Sequence, residues 1–178
     1  MSRKTRNLTF TALFAAILCV MSPFAINIGP IPLSLATIAV YLAGVTLGWK
    51  KGTAAVIVFI LIGAVGVPVF SNFTGGLQKI VGPTGGYIVG YIPCALIAGL
   101  FADKWSKVWS YVVGMVLGTA VLYALGTAWY CVSASVQLGK AIAACVTPFL
   151  LGDAIKIAVV TLLSIKLRPL VSGYLSKE

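Results

Sequence analysis

The sequence predicts an all-α polytopic membrane protein: a bundle of six transmembrane helices in a single integral membrane domain, residues 1–178, with both termini cytoplasmic. Three observations carry that reading. Of 178 residues, 60% are apolar and 9% are charged. With a mean hydropathy of +1.07, that leaves too little polar surface to clothe a water-soluble globule of this size. The apolar stretches are long and unbroken, whereas a membrane β-barrel would show alternating segments of about ten residues. The basic residues are also unevenly placed. Arg3, Lys4, Arg6, Lys50, Lys51, Lys104, Lys107, Lys166, Arg168 and Lys177 fall on the face of the termini, against Lys79 and Lys140 on the other. Lys/Arg enrichment marks the cytoplasmic side, which requires an even number of spans.

The first span is expected from Asn7 to about Ile28. Its basic start and the apolar Leu8–Met21 run resemble a secretory signal, but Ser22 to Ala25 is not a small-x-small cleavage site, so it reads as a helix. The second (Leu33–Gly48) and third (Thr53–Val67) are short against the roughly 20 residues a spanning helix needs, which implies little tilt or thinned lipid. The fourth runs from Thr84 to Phe101, the fifth from Val108 to about Ala128, and the sixth from Thr147 to Leu167. Pro23, Gly29-Pro30, Pro32, Pro68, Gly75-Gly76 and Gly82-Pro83 punctuate the boundaries. Thr147 is the expected N-cap of the sixth helix with Pro148 at its first position. Ser135–Cys145 is then a separate shallow or re-entrant helix. The G-x-x-x-G spacings at Gly44/Gly48, Gly82/Gly86, Gly86/Gly90 and Gly114/Gly118 point to close helix packing.

Much chemistry is excluded by the residue types. The chain has no His, which rules out H-E-x-x-H metal sites and Ser-His-Asp triads. It has no G-x-x-x-x-G-K-[ST] run, so it holds no P-loop of its own. Of the three acidic residues, Asp103 is read as lying in a cytoplasmic loop beside Lys104 and Glu178 is terminal, so no two-carboxylate catalytic arrangement forms. Cys19, Cys94, Cys131 and Cys145 stand singly in apolar surroundings and read as packing residues. The net charge of +10 is topogenic, and the basic, aromatic-interleaved patch of a nucleic-acid binder is absent. No enzyme activity and no cofactor are expected.

The third acid carries the functional reading. Asp153 and Lys156 lie inside the sixth span, where each costs about 2.5–3.5 kcal/mol unless it faces protein or a watery cavity. Spaced i, i+3, they share one helix face. A self-neutralising packing pair is the structural alternative. Aromatic residues gather at the same outward level: Tyr87, Tyr91, Tyr123, Trp129 and Phe149, some of which an interfacial belt would explain. The run Gly82-Pro-Thr-Gly-Gly-Tyr87, with Thr84 and Gly86, lets backbone approach a helix or a ligand closely. Asn72, in the loop Pro68–Gly76, is a further polar candidate.

These residues resemble a known family. Pro32 to Thr37 (PLSLAT), Gly63 to Phe70 (GAVGVPVF), the 82–87 run and Pro148-x-x-x-Gly-Asp-x-x-Lys156 are similar to the BioY family, the biotin-specific substrate-binding subunits (S components) of energy-coupling factor transporters. The resemblance covers essentially the whole chain. It implies a multi-pass protein of the bacterial cell membrane with an outward-opening biotin site: Asp153 and Lys156 as polar anchors, Tyr87, Tyr123 and Trp129 as apolar surface, and Thr84, Gly86 and Asn72 at the border. It implies as partners a transmembrane coupling subunit and two cytoplasmic ATPase subunits, the former docking at the small-residue pair Ala12 and Ala16. Many members carry Gln where this chain has Ala36. A self-sufficient secondary carrier using Asp153 as its protonating group stays open as the alternative, ahead of a membrane scaffold.

Overall fold

The computed structural model of the chain describes residues 2–27 and 31–176. In order, its elements are α1 (Arg3–Met21), β1 (Ala25–Asn27), β2 (Pro32–Ser34), α2 (Ala36–Ala64), α3 (Leu77–Val81), α4 (Gly85–Trp105), α5 (Val108–Ala134), α6 (Leu138–Cys145), a 3-10 turn (Thr147–Phe149) and α7 (Leu150–Ser176). The expected Ile28 boundary, the Gly29-Pro30 break, Lys177 and Glu178 lie outside the described residues.

The first helix is shorter at its C-terminal end than the sequence predicts. Ser2 caps it by accepting the Thr5 N–H at 3.2 Å. It stops at Met21, where the Ser22 N–H closes the last turn on Leu18 O and Pro23 follows. Beyond it the chain is extended: Ala25–Asn27 pairs antiparallel with Pro32–Ser34, a small β-hairpin in an otherwise helical molecule. It takes the place of the last turn expected for the first span.

The second and third expected spans are the two halves of α2, with Gly48 between them at φ 79° and ψ 173°. The helix does not run on through this point. A Cβ at Gly52 would lie 2.5 Å from the Ala43 carbonyl oxygen and 2.8 Å from Gly44 Cα, whereas residues nine apart in one straight helix are about 13.5 Å apart along its axis. The chain therefore reverses at Gly48 and its two halves pack face to face. Only glycine adopts this backbone comfortably, and a Cβ at Gly48 would also press to 2.5 Å from the Asp103 carboxylate. Asp103 itself lies in the last turns of α4 rather than in a loop.

At the centre of the bundle, α4 packs between α2 and α5. Gly114 and Gly118 of α5 sit against Ala98 and Cys94 of α4, and Gly90 of α4 sits against Leu122 of α5, the close approach that small residues allow. Cys94 and Cys145 are buried, Cys19 and Cys131 partly so, and all four thiols are free. The later helices outrun their expected ends. Left-handed caps at Ser106 and Ser135 close α4 and α5, and α7 continues to Ser176. Thr147 is not the N-cap of the last helix. Val146 precedes the 3-10 turn, Pro148 lies within it, and the Thr147 hydroxyl turns back toward the Ile142 carbonyl at 3.5 Å.

Among the described residues, four helical segments are long and apolar enough to cross a membrane: Ala36–Ala64, Gly85–Trp105, Val108–Ala134 and Leu138–Leu175. Large apolar side chains remain exposed along α5 and α7, among them Val116, Leu117, Ile155 and Leu162, as expected where the solvent is hydrocarbon. The chain is a multi-pass helical membrane protein.

Candidate functional site

Asp153 and Lys156 lie in the first two turns of α7, 5% and 8% exposed. The Lys156 ammonium contacts Asp153 Oδ1 at 3.0 Å and donates to Ser34 O and Thr37 Oγ1, each at 2.9 Å. An ammonium has three N–H donors; two make these hydrogen bonds, and toward Asp153 the contact is ionic. Ser34 is set rigidly for this. Its hydroxyl donates to Ser22 O at 2.8 Å and accepts the Ala36 N–H at 2.9 Å, tying the end of α1 to the start of α2 through the hairpin.

The carboxylate is less completely used. Tyr123 donates its hydroxyl to Asp153 Oδ2. Oδ1 has its ionic contact with Lys156, but the angles are not those of a hydrogen bond, and no other donor reaches it. Burying a charge is compensated only when the remaining lone pairs are also satisfied. Asp153 thus presents an oxygen with accepting capacity in a place where water is scarce.

Asp153 and Lys156 line a small cavity of about 40 Å3, together with Ile31–Ser34, Thr37, Tyr87, Tyr91, Leu122, Tyr123, Cys145 and Phe149. The space suits a few water molecules; a pocket for an organic ligand is nearer 300 Å3 or more. Larger spaces adjoin it. One of about 720 Å3, almost wholly apolar, is a groove on the outside of the bundle between α5 and α7 that shares Tyr123 and Asp153 with the small cavity. Another, of about 420 Å3, lies beneath the hairpin and shares Ser34 and Lys156.

The residues singled out in the sequence are therefore divided. Asp153, Lys156, Tyr87 and Tyr123 converge on one cavity, Tyr87 being held by Thr127 Oγ1 at 3.1 Å. Asn72 lines the space beneath the hairpin, its amide bonded to the Asn27 side chain at 2.9 Å and its N–H to Pro23 O. Thr84 precedes α4 and borders a separate small hollow behind Tyr87 and Tyr91. Gly86 and Trp129 meet each other: a Cβ at Gly86 would fall 2.3 Å from Trp129 Cβ, and the indole N–H donates to Gly82 O at 3.0 Å. Trp129 does not line the cavity of Asp153. Ala12 and Ala16 are exposed on α1, on the side away from buried Phe14, Ala15 and Leu18. Sequence reasoning passed over Ser34 and Thr37 as ligands of Lys156, although both lie in the Pro32–Thr37 run.

Comparison with known proteins places the arrangement. The BioY family model matches residues 1–173. The biotin transporter BioY of Thermotoga maritima is 39% identical over 166 residues, 93% of this chain and 97% of that protein. The probable biotin transporter BioY of Pyrococcus horikoshii is 35% identical over 165 residues, 93% and 98% of the two chains. In fold, the chain matches the crystal structure of an S-component for biotin from an ECF-type ABC transporter with a TM-score of 0.86 over 95% of both chains, at 24% identity. The matches run nearly end to end, through the hairpin, the Gly48 reversal and the helix that carries Asp153 and Lys156, and the chain belongs to the BioY family.

Proposed function

We propose that this chain is the biotin-binding membrane subunit of an energy-coupling factor transporter, taking biotin from the outside and working with a transmembrane coupling subunit and two cytoplasmic ATPases. The observation that carries the reading is Asp153 Oδ1, a buried carboxylate oxygen without a hydrogen-bond donor, set beside an ammonium in an aromatic-walled cavity. Biotin offers what is missing. Its ureido ring has two N–H donors for Asp153, and its ureido or carboxylate oxygen is an acceptor for Lys156. Its apolar rings and chain match Tyr87, Tyr91, Tyr123 and Phe149. Lys156 makes two hydrogen bonds, to Ser34 O and Thr37 Oγ1, so a ligand oxygen takes its third N–H or displaces one of these acceptors, and the small cavity opens into the adjoining spaces as the ligand enters. Thr84, Gly86, Asn72 and Trp129 border the route rather than hold the polar groups. The role is binding and transport, not catalysis.

Topology follows the same reading. With the reversal at Gly48, α1, the two halves of α2, α4, α5 and α7 make six passes, and the Lys/Arg-rich face bearing both chain ends is cytoplasmic. Ala12 and Ala16 then leave a smooth strip of α1 for the coupling subunit. The test is whether biotin co-purifies with the detergent-solubilised chain and raises its melting temperature. At a hundredfold excess over Kd the added stability is about 2.7 kcal/mol. Neither retention nor a shift with saturating biotin would remove the proposal.

A further inference from the structure

The face that carries Arg3 and the end of α7 holds a second, open polar hollow of about 320 Å3, bordered by the Gly48 reversal and the ends of α1, α4 and α7. Its charges do not balance. Both Asp103 oxygens are committed, Oδ1 to Arg168 Nη2 at 2.8 Å and Oδ2 to the Trp49 N–H at 3.0 Å. Arg3, Lys50 and Lys51 line the same space, and among the described residues no carboxylate pairs with any of them. Thr46, 3% exposed, also lines it, and its hydroxyl has no hydrogen-bond partner. An unsatisfied buried hydroxyl is costly, and here it faces a hollow already rich in positive charge. Such a hollow is complementary to a tetrahedral oxyanion, which brings both the negative charge and the acceptors.

Its depth identifies the source of that anion. Trp49, Trp105 and Trp109 are partly exposed around the same end of the bundle, with Lys50 over the Trp49 ring at 5.1 Å and Lys104 over the Trp105 ring at 4.5 Å. Tryptophan gathers at the headgroup level of a bilayer, and basic pockets between helix ends at that level take anionic lipid headgroups. We infer that this cavity binds the phosphate of an anionic phospholipid, with Arg3 and Lys51 as its cationic ligands and Thr46 as the buried donor.

The experiment uses the full chain in detergent with equal phosphatidylglycerol and phosphatidylcholine, retained lipid being read by native mass spectrometry. Wild type should retain phosphatidylglycerol selectively. The pair Arg3→Gln/Lys51→Gln should lose roughly thirtyfold in that affinity, the weight of two basic side chains near an anionic surface. Thr46→Val should lose a smaller factor, and it carries the test alone should the double variant not fold. Lys104→Gln/Lys107→Gln, on the same face but outside the cavity, should retain lipid as wild type does. Phosphatidylglycerol that stays bound against inorganic phosphate supports the lipid. Its displacement by inorganic phosphate assigns the hollow to a free anion and overturns the lipid. Equal losses in the two double variants reduce the effect to diffuse attraction, and unchanged retention in Thr46→Val and Arg3→Gln/Lys51→Gln removes the site.

Discussion

Two acid–base pairs sit at opposite ends of this bundle, and they differ in what is left over. Asp103 and Arg168, 65 residues apart, join α4 to α7. Every strong partner there is matched: the carboxylate takes the guanidinium and the Trp49 N–H, and Arg168 also donates to Val45 O and lies 5.5 Å from the centre of the Tyr111 ring. Asp153 and Lys156 are one helical turn apart, more deeply buried, and one carboxylate oxygen lacks a hydrogen bond. The closed pair clamps the reversal at Gly48. The open pair has capacity for a guest. On the proposed function, the count of donors and acceptors marks the first as the structural pair and the second as the binding one, where charge and burial alone would treat them alike.

The largest expected effect sharpens that contrast at the open pair. Lys156→Met should weaken biotin binding by about 2–5 kcal/mol, the range for truncating a buried hydrogen-bonded charge, as read by titration with biotin. Wild-type affinity in this variant would make the pair structural and erase the distinction. At the closed pair, Gly48→Ala should lower stability by about 1–3 kcal/mol through backbone strain, with contact against Asp103 adding to it. Biotin affinity in the folded fraction should stay unchanged; denaturant melts and titration on one sample check both. Smaller still is Thr37→Val, which removes one of the two hydrogen-bond acceptors of Lys156 and should change binding by about 0.5–1.5 kcal/mol.

The smallest effect on binding is expected from Ala12→Trp and Ala16→Trp. On exposed positions of α1, a large ring should leave biotin affinity as it is, while blocking close approach of a coupling subunit and hence uptake. Undiminished uptake by both variants would instead favour a carrier that works alone.

How much of this was legible in the sequence depends on the range of the interaction. The class follows from composition, and several helix boundaries from glycine and proline punctuation, which acts locally. The end of α1 was misplaced because the apolar residues after Pro23 continue the hydrophobic run, and three-residue strands are too short to display an alternation. The Lys50-Lys51 turn was expected, but not that helix resumes immediately after Gly48. Asp103 reads as a loop residue beside Lys104, whereas it lies in α4 and pairs with Arg168. Similarly, Lys156 finds Ser34 and Thr37 more than a hundred residues away, a pairing no local pattern encodes. Trp129 lies on the helix that carries Tyr123, but Gly82 and Gly86 hold it away from the cavity.

The most direct test sets Asp153→Asn beside Asp103→Asn, measuring biotin affinity and unfolding free energy on both. Each change removes one negative charge and little volume. Asp153→Asn should lose about 2–5 kcal/mol in binding while the bundle still folds. Asp103→Asn should keep wild-type affinity and lose about 1–3 kcal/mol of stability as Arg168 and the Trp49 N–H lose a charged acceptor. Crossed effects of that kind support an open binding pair and a closed structural one. Equal biotin affinity in Asp153→Asn and wild type would contradict the account at its centre.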